Sequence, residues 1–225
     1  MKVLAIIPAR GQSKGIPRKN LALCAGKPLL QWTVEAAKES KLLTGIAVSS
    51  DSFEIVSLAH QLGALGHPRV EELAQDDTPT EPVIDAVLKW MREDYDAFVL
   101  LQPTSPVRTG AQIDEAVSMI GEYDSVLSVV PFHGFIWVDQ LEPDRARIQR
   151  PFPPPAWGAR PRRQDFFPSF LENGSIYVST LAQWRRTGNR IGGRVGLYEM
   201  PQECGVEVDS PFDLWLAEKI LEKHR

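Results

Sequence analysis

Val3-Leu4-Ala5-Ile6-Ile7-Pro8-Ala9-Arg10-Gly11-Gln12-Ser13-Lys14-Gly15-Ile16-Pro17-Arg18-Lys19-Asn20 runs from five apolar residues straight into a basic, glycine-containing turn. The apolar run is short and unbroken, which reads as a strand buried on both faces. Similar runs recur at Ile46-Ala47-Val48, Phe98-Val99-Leu100-Leu101 and Val126-Leu127-Ser128-Val129-Val130. Between them Ile55, Leu58, Ala59 and Leu62 have the spacing of one helix face. So do Ile84, Val87, Leu88 and Met91, and again Ile113, Ala116, Val117 and Ile120. Asp51 with Glu54 and Thr109 with Gln112 have capping-box spacing, and Ser210-Pro211 pairs an N-cap with proline at the first helical position. Ser175-Ile176-Tyr177-Val178 and residues 194–200 read as further strands, and Pro211 starts a C-terminal helix. The alternation predicts an α/β fold: a Rossmann-like, mostly parallel sheet with helices on both faces.

Working outward, the pattern breaks over residues 133–170. Prolines stand there at 151, 153, 154, 155, 161 and 168, and arginines at 145, 147, 150, 160, 162 and 163. The stretch is too polar for a core element and too long for an ordinary loop. It reads as an arm inserted in a single domain over residues 1–225, serving as a lid, a subunit contact or both. The 225 residues carry a net charge of −4, which argues against nucleic acid as the main partner. No apolar run reaches the ~18 residues of a membrane span, and the N-terminus lacks a signal-peptide pattern, so a cytoplasmic protein is expected. Cys24 and Cys204 form neither a metal knuckle nor a disulfide framework.

An acidic protein that handles anions must concentrate its positive charge, and the turn after the first strand does so. Arg10, Lys14, Arg18 and Lys19 lie within ten residues, with Gly11 and Gly15 letting backbone N–H groups approach an anion. The spacing is neither that of a P-loop nor Gly-x-Gly-x-x-Gly. A nucleoside triphosphate would neutralise the turn; a solvated basic turn is the alternative.

Ile-Pro-Ala-Arg-Gly-x-Ser-Lys-Gly-Ile-Pro-x-Lys-Asn at residues 7–20, followed by Gly26-Lys27-Pro28-Leu29, resembles the opening of the acylneuraminate cytidylyltransferases, the CMP-sialic acid synthetase family. The resemblance continues in order through Ser49-Ser50-Asp51, Arg69, Glu72-Leu73-Ala74 and Asp77-Thr78-Pro79-Thr80. Leu100-Leu101-Gln102-Pro103-Thr104-Ser105-Pro106, Arg162-Arg163-Gln164-Asp165, Asn173-Gly174-Ser175-Ile176-Tyr177 and Val208-Asp209-Ser210-Pro211 complete it. The resemblance implies a nucleotide-diphospho-sugar transferase-like fold and a homodimer reached through the arm. It also implies a reaction in which CTP and a nine-carbon 2-keto sugar acid give a CMP-sugar and pyrophosphate with Mg²⁺. Both substrates are anions, and a carboxylate about 4 Å from a phosphate oxygen is repelled by roughly 4 kcal/mol at an effective dielectric of 20. Cations and metal must cancel that repulsion.

By the same resemblance Arg10 and Lys19 are catalytic and contact the triphosphate. Gly11, Ser13, Lys14 and Asn20 complete the loop, and Arg69 and Thr80 lie on the nucleotide. Gln102, which can donate and accept at a polyhydroxylated sugar, is placed on the sugar with Tyr177; a loop-bonded glutamine and a core tyrosine are the alternatives. Arg163 is placed at the sugar carboxylate, where a bidentate contact suits a guanidinium, against a plain charged loop. Glu207 and Asp209 bracket one residue of an extended segment and offer Mg²⁺ two carboxylates. The family shows Asp-x-Asp there, so Glu207 reaches one methylene further and binds directly, through water or not at all; a solvated strand end that compensates the following helix dipole is the alternative for the pair. The family's sugar-pocket aromatics are missing near Arg190-Ile191. A CMP-Kdo type synthetase and a catalytically silent nucleotide-binding homologue remain the other readings.

Overall fold

The computed structural model describes residues 1–134, 136–141, 147–152 and 169–223. The elements in chain order are β1 (Val3–Pro8), β2 (Leu23–Cys24), β3 (Lys27–Pro28), α1 (Leu29–Glu39), β4 (Gly45–Ser50), α2 (Phe53–Gln61), β5 (Leu65–Pro68) and α3 (Thr80–Trp90). They continue with β6 (Ala97–Leu101), α4 (Gly110–Ser118), β7 (Ser125–Phe132), β8 (Ile136–Leu141), β9 (Arg147–Phe152), β10 (Ser169–Thr180), α5 (Leu181–Thr187), β11 (Val195–Glu199) and α6 (Pro211–Lys223).

Seven strands form one sheet in the order β11-β7-β10-β6-β1-β4-β5. β1 lies between β4 and β6 and is parallel to both, and the β4–β5 and β7–β11 pairs are parallel as well. β10 runs antiparallel to β6, with Tyr177 opposite Leu100. The unbroken apolar run of β1 has its reason in two separate cores. Val3, Ala5 and Ile7 pack with Val34 of α1, Ile55 of α2, Ile113 of α4 and Ala217 of α6. Leu4 and Ile6 pack with Ile84 and Val87 of α3 and with Leu181 and Trp184 of α5. Helices therefore cover both faces, as the alternation of strand and helix periods implies.

The chain leaves this unit after Val130 and re-enters it at Glu172; residues 131–171 form a second compact unit. Within that second unit β8 and β9 pair antiparallel, with Trp137 opposite Pro151 and Ile136 opposite Phe152. Trp157, Arg162 and Arg163 lie outside the described residues.

The helix starts divide. Thr109 and Gln112 form the expected reciprocal box, Gln112 N donating to Thr109 Oγ1 at 3.3 Å and Thr109 N to Gln112 Oε1 at 3.0 Å. Ser210 caps α6, its Oγ accepting from Asp213 N at 3.4 Å while its own N–H donates to Asp213 Oδ2 at 2.7 Å. The box expected at Asp51 and Glu54 does not form: Ser52 is the N-cap of α2 and makes no side-chain cap bond. Both carboxylates are engaged elsewhere, Asp51 accepting from Gly11 N at 2.9 Å and Glu54 pairing with Arg18. Charge demand from the basic loop overrides the local cap.

The edge strand β5 carries one aliphatic residue, Leu65, and no alternation marks it in the sequence. Of its two buried residues, Gly66 and His67, the histidine has Nδ1 3.0 Å from Ser49 Oγ and its ring 5.1 Å from that of Trp90. Burial, followed by the charge of Arg69, pushes the imidazole below its ordinary value. The folded state therefore binds this proton more weakly than the unfolded chain. Its contribution is complete above the unfolded value of about 6.5 and is lost as pH falls through the folded one. Unfolding free energies from urea titrations at about pH 7.5 and about pH 5.5 are expected to fall more for the native chain than for His67→Gln, by no more than about 1.4 kcal/mol per pH unit. Parallel pH profiles would dismiss the titration.

Candidate active site

Because β1, β4 and β6 are parallel, their carboxyl ends meet on one edge of the sheet, where open α/β sheets bind ligands. A cavity of about 300 Å³ lies there. Arg10, Ser13, Lys19, Asn20, Arg69, Thr80, Gln102, Glu207 and Asp209 all line it, with Asp76 and Thr104. Of the residues expected in the site, Gly11, Lys14 and Tyr177 do not line this cavity, and Arg163 falls outside the described residues.

The basic loop is held from within and from the far end of the chain. Asn20 Nδ2 donates to Arg10 O at 2.8 Å, and Ser13 Oγ donates to Ile16 O. Arg18 takes a left-handed backbone (φ 53°), turning the chain into the short helix Lys19–Leu21. Lys19 Nζ donates to Val208 O at 2.9 Å and pairs with Asp209 Oδ1 at 2.7 Å. Gly15 faces the same segment so closely that an added Cβ would stand 2.1 Å from the Asp209 carbonyl oxygen. Only glycine fits that approach.

Each cation of the loop has an acidic partner. Asp76 pairs with Arg10 at 2.5 Å and with Lys14 at 2.9 Å. The hydrogen bond from Lys14, then that from Arg10, holds the Asp76 carboxyl below the usual range. Sequence reading passed over Asp76; the signal available was the charge balance of a loop with four cations and no acid of its own. Arg69 differs, because its side chain is only 4% exposed and lies 3.6 Å from Asp51 Oδ1. Its Nε and Nη2 are buried without a hydrogen-bond partner. Burial lowers its affinity for the proton, and Asp51 opposes that. A buried guanidinium with open donors beside a cavity suits an anionic or carbonyl-bearing ligand.

The acidic wall comes from the C-terminal segment. Glu207 is pushed above the usual glutamate range, first by loss of water and then by Asp209, with Lys19 and a Thr104 hydrogen bond opposing. Gln102 stands beside it: an added Cβ on Gly174 (φ +65°) would lie 2.9 Å from Gln102 Oε1 and 3.3 Å from Glu207 Oε1. Two mutually repelling carboxylates at a cavity wall fit a hard cation that takes one or two carboxylates and completes its shell with water and phosphate oxygens. Among the described residues no group of three or more His, Cys, Asp and Glu could hold a metal ion. The pair thus suits a metal shared with a substrate rather than a closed protein cage.

Tyr177 is buried in the core on the α3 side of the sheet. Its hydroxyl donates to Glu172, and the Arg190 guanidinium stacks on its ring at 4.9 Å. Arg190 also pairs with Glu81, the second residue of α3. Burial and the Glu172 contact raise the phenol's affinity for its proton.

Residues 4–135 match the family model described as Cytidylyltransferase. The chain is 36% identical over 221 residues to N-acylneuraminate cytidylyltransferase A of Danio rerio, covering 96% of this chain and 50% of that one. It is 34% identical over 238 residues to the CMP-N,N'-diacetyllegionaminic acid synthase of Legionella pneumophila, covering 99% and 97%. With N-acylneuraminate cytidylyltransferase of Escherichia coli it shares 30% identity over 235 residues, 99% of this chain and 52% of that one. The chain thus spans about half the length of the Danio and Escherichia proteins and nearly all of the Legionella one. Among solved structures, CMP:2-keto-3-deoxy-manno-octonic acid synthetase complexed with CTP superposes with a TM-score of 0.73 at 15% identity over the whole of both chains, a likeness of fold.

The pairing of Arg10 and Lys14 with Asp76 sets this carboxylate in competition with any polyanion that enters. Arg10→Ala and Lys19→Ala are expected to weaken tripolyphosphate binding by roughly tenfold or more, whereas Asp76→Asn strengthens it. Calorimetric titration checks this, and weaker binding in Asp76→Asn would contradict the competition.

Proposed function

This chain belongs to the cytidylyltransferases, within the acylneuraminate cytidylyltransferase family, and from that premise we propose that it activates a nine-carbon 2-keto sugar acid with CTP. The products are a CMP-sugar and pyrophosphate. The observation that carries the reading is one cavity in which Arg10, Lys19 and the open guanidinium of Arg69 converge with Gln102, Glu207 and Asp209. Cations alone would suit any polyanion; the neighbouring carboxylates and glutamine add what a metal-assisted transfer to a sugar needs.

In this reading Arg10, Ser13, Lys19 and Asn20 receive the triphosphate, with Gly11 and Lys14 shaping and charging the loop, and Arg69 and Thr80 hold the nucleoside. α3 starts at the cavity wall without a side-chain cap, so its first N–H groups add positive potential there. The anomeric hydroxyl of the sugar acid attacks the α-phosphate, and pyrophosphate leaves. Gln102 orients the sugar, while Tyr177 supports that side of the site and Arg163 supplies the charge for the sugar carboxylate. Glu207 and Asp209 would hold Mg²⁺, which supplies charge neutralisation on the phosphates. Lys19, which pairs with Asp209 Oδ1 at 2.7 Å, would be the cation beside the metal-holding carboxylates that meets a phosphate oxygen. Magnesium, a cytoplasmic setting where CTP is made, and a role in building cell-surface polysaccharide all belong to this proposal.

Pyrophosphate release from CTP over a panel of nonulosonates tests the reading and selects the substrate; no release with any of them would refute it. Asp209→Asn keeps shape and the start of α6 but removes charge. It is expected to lower turnover at least a hundredfold, on the order of 3 kcal/mol, with little loss of stability. Glu207→Asp is expected to keep partial activity and Glu207→Gln to lose most of it if the carboxylate ligates directly. Losses below about tenfold in both would assign it a water-mediated place. A fully active Asp209→Asn enzyme would remove the metal assignment.

We also propose a homodimer, supported by the arginine- and proline-rich composition of residues 133–170. Light scattering at micromolar concentration is expected to give twice the chain mass of 25.1 kDa. A fully active monomer would overturn it.

A further inference from the structure

Arg108 is 7% exposed and lies outside the cavity, yet every donor it uses reaches the turn that follows β6 or the helix beside it. Its Nε donates to Ser105 O at 3.1 Å, and its Nη2 donates to the carbonyls of both Gln102 and Ser105. Nη2 also lies 3.5 Å from Thr33 Oγ1 on α1, and Nη1 is buried with no hydrogen-bond partner. Among the described residues no carboxylate pairs with it, so a full charge is buried against neutral oxygens, carbonyls and one hydroxyl. That arrangement is costly, and a Met or Leu of similar volume would fill the space more cheaply. Burial pushes its proton affinity down to about 9, which still leaves it charged at neutral pH.

The turn needs an outside clamp. Pro103 and Pro106 have no N–H, leaving Ser105 N to Gln102 O at 3.2 Å as its internal bond. A guanidinium is the one side chain whose rigid fork can bind two carbonyls of one turn from beneath. The turn in turn carries the acidic wall of the site. Val208 N, between Glu207 and Asp209, donates to Thr104 O at 2.7 Å, and the Thr104 side chain faces Glu207 and favours its charged form. Ser105 Oγ donates to Asn173 O at 3.1 Å, beside Gly174, which leaves room for Gln102. One buried cation thus reaches Gln102, Thr104, Glu207 and Asp209 through a single four-residue turn.

We propose that Arg108 is a positioning residue for the reaction: it fixes the Gln102–Ser105 turn, and through Thr104 it sets the Glu207–Asp209 carboxylates against the sugar side of the cavity. The turnover arm of the test rests on the function proposed above; the exchange arm does not.

Arg108→Met keeps volume and removes the donors, and Arg108→Lys keeps the charge with a single donor point. Amide hydrogen exchange at Val208 is compared with that at Ala9, whose N–H donates to Ser49 O at 2.9 Å on the basic side of the site. Exchange at Val208 is expected to rise at least about tenfold in Arg108→Met while Ala9 holds its protection. The kcat for CMP-sugar formation is expected to fall about thirtyfold or more with KM for CTP within about threefold, and Arg108→Lys to recover part of both. Equal loosening at Val208 and Ala9, or an unchanged kcat, would reduce Arg108 to a core residue and overturn the proposal. If Arg108→Met does not fold, the same comparison in Arg108→Lys decides. Wild-type protein without turnover on any sugar acid would count against the function, while the exchange comparison would still decide the role of Arg108.

Discussion

The contact between Lys19 and the Val208–Asp209 segment joins the first loop of the chain to its last, across 190 residues. Without it there are two half-sites: a basic turn after β1 and an acidic strand end before α6. One ammonium bridges them by donating to a carbonyl and to a carboxylate at once. Gly15 allows the approach, since any Cβ there would strike the Asp209 carbonyl. The cavity, its charge balance and the reach of Glu207 toward Gln102 all follow from that closure.

A net charge of −4 explains why the cations come with partners. Four of them crowded in one turn would repel each other in the empty protein. Asp76 and Glu54 relieve that strain at the surface, where ion pairs are weak and exchange easily, while Lys19, its side chain 13% exposed, is held by Asp209 and the Val208 carbonyl. The buried cations are handled in another way. Arg69 keeps Asp51 at 3.6 Å and leaves Nε and Nη2 open, whereas Arg108 directs Nε and Nη2 onto carbonyls and Thr33 and leaves only Nη1 without a hydrogen-bond partner. Exposed charges are thus paired and replaceable, and buried ones are fixed and directional.

How much of this was legible in the sequence depends on whether a feature is periodic. β1, β4, β6 and β7 announce themselves because two helical layers demand unbroken apolar runs, and α2, α3 and α4 because one face of each is apolar. The basic loop, Gln102 and Asp209 were legible from their order along the chain, and the cavity gathers them. β5 was not, because Leu65-Gly66-His67-Pro68 is an edge strand that buries a histidine rather than an aliphatic stripe. The box at Asp51 and Glu54 was read from local spacing, and distant arginine and amide donors outbid it. Asp76 and Arg108 show the general limit. Residue type and spacing say that a charge exists, and only the fold says which atoms it faces.

Tyr177 brings that limit to bear on specificity. Its hydroxyl is committed to Glu172 and one face of its ring is covered by Arg190. A phenol so engaged offers a ligand little of its own, but it anchors a guanidinium that Glu81 holds from the start of α3. Arg190 keeps its Nε buried and without a hydrogen-bond partner. Exchanging Tyr177 for Phe would free Glu172 while keeping the stack, and exchanging it for Leu would remove the stack as well. Glu172 also adds its charge to the field that raises Glu207. The tyrosine restrains that carboxylate near the start of β10, five residues before its own position in the strand.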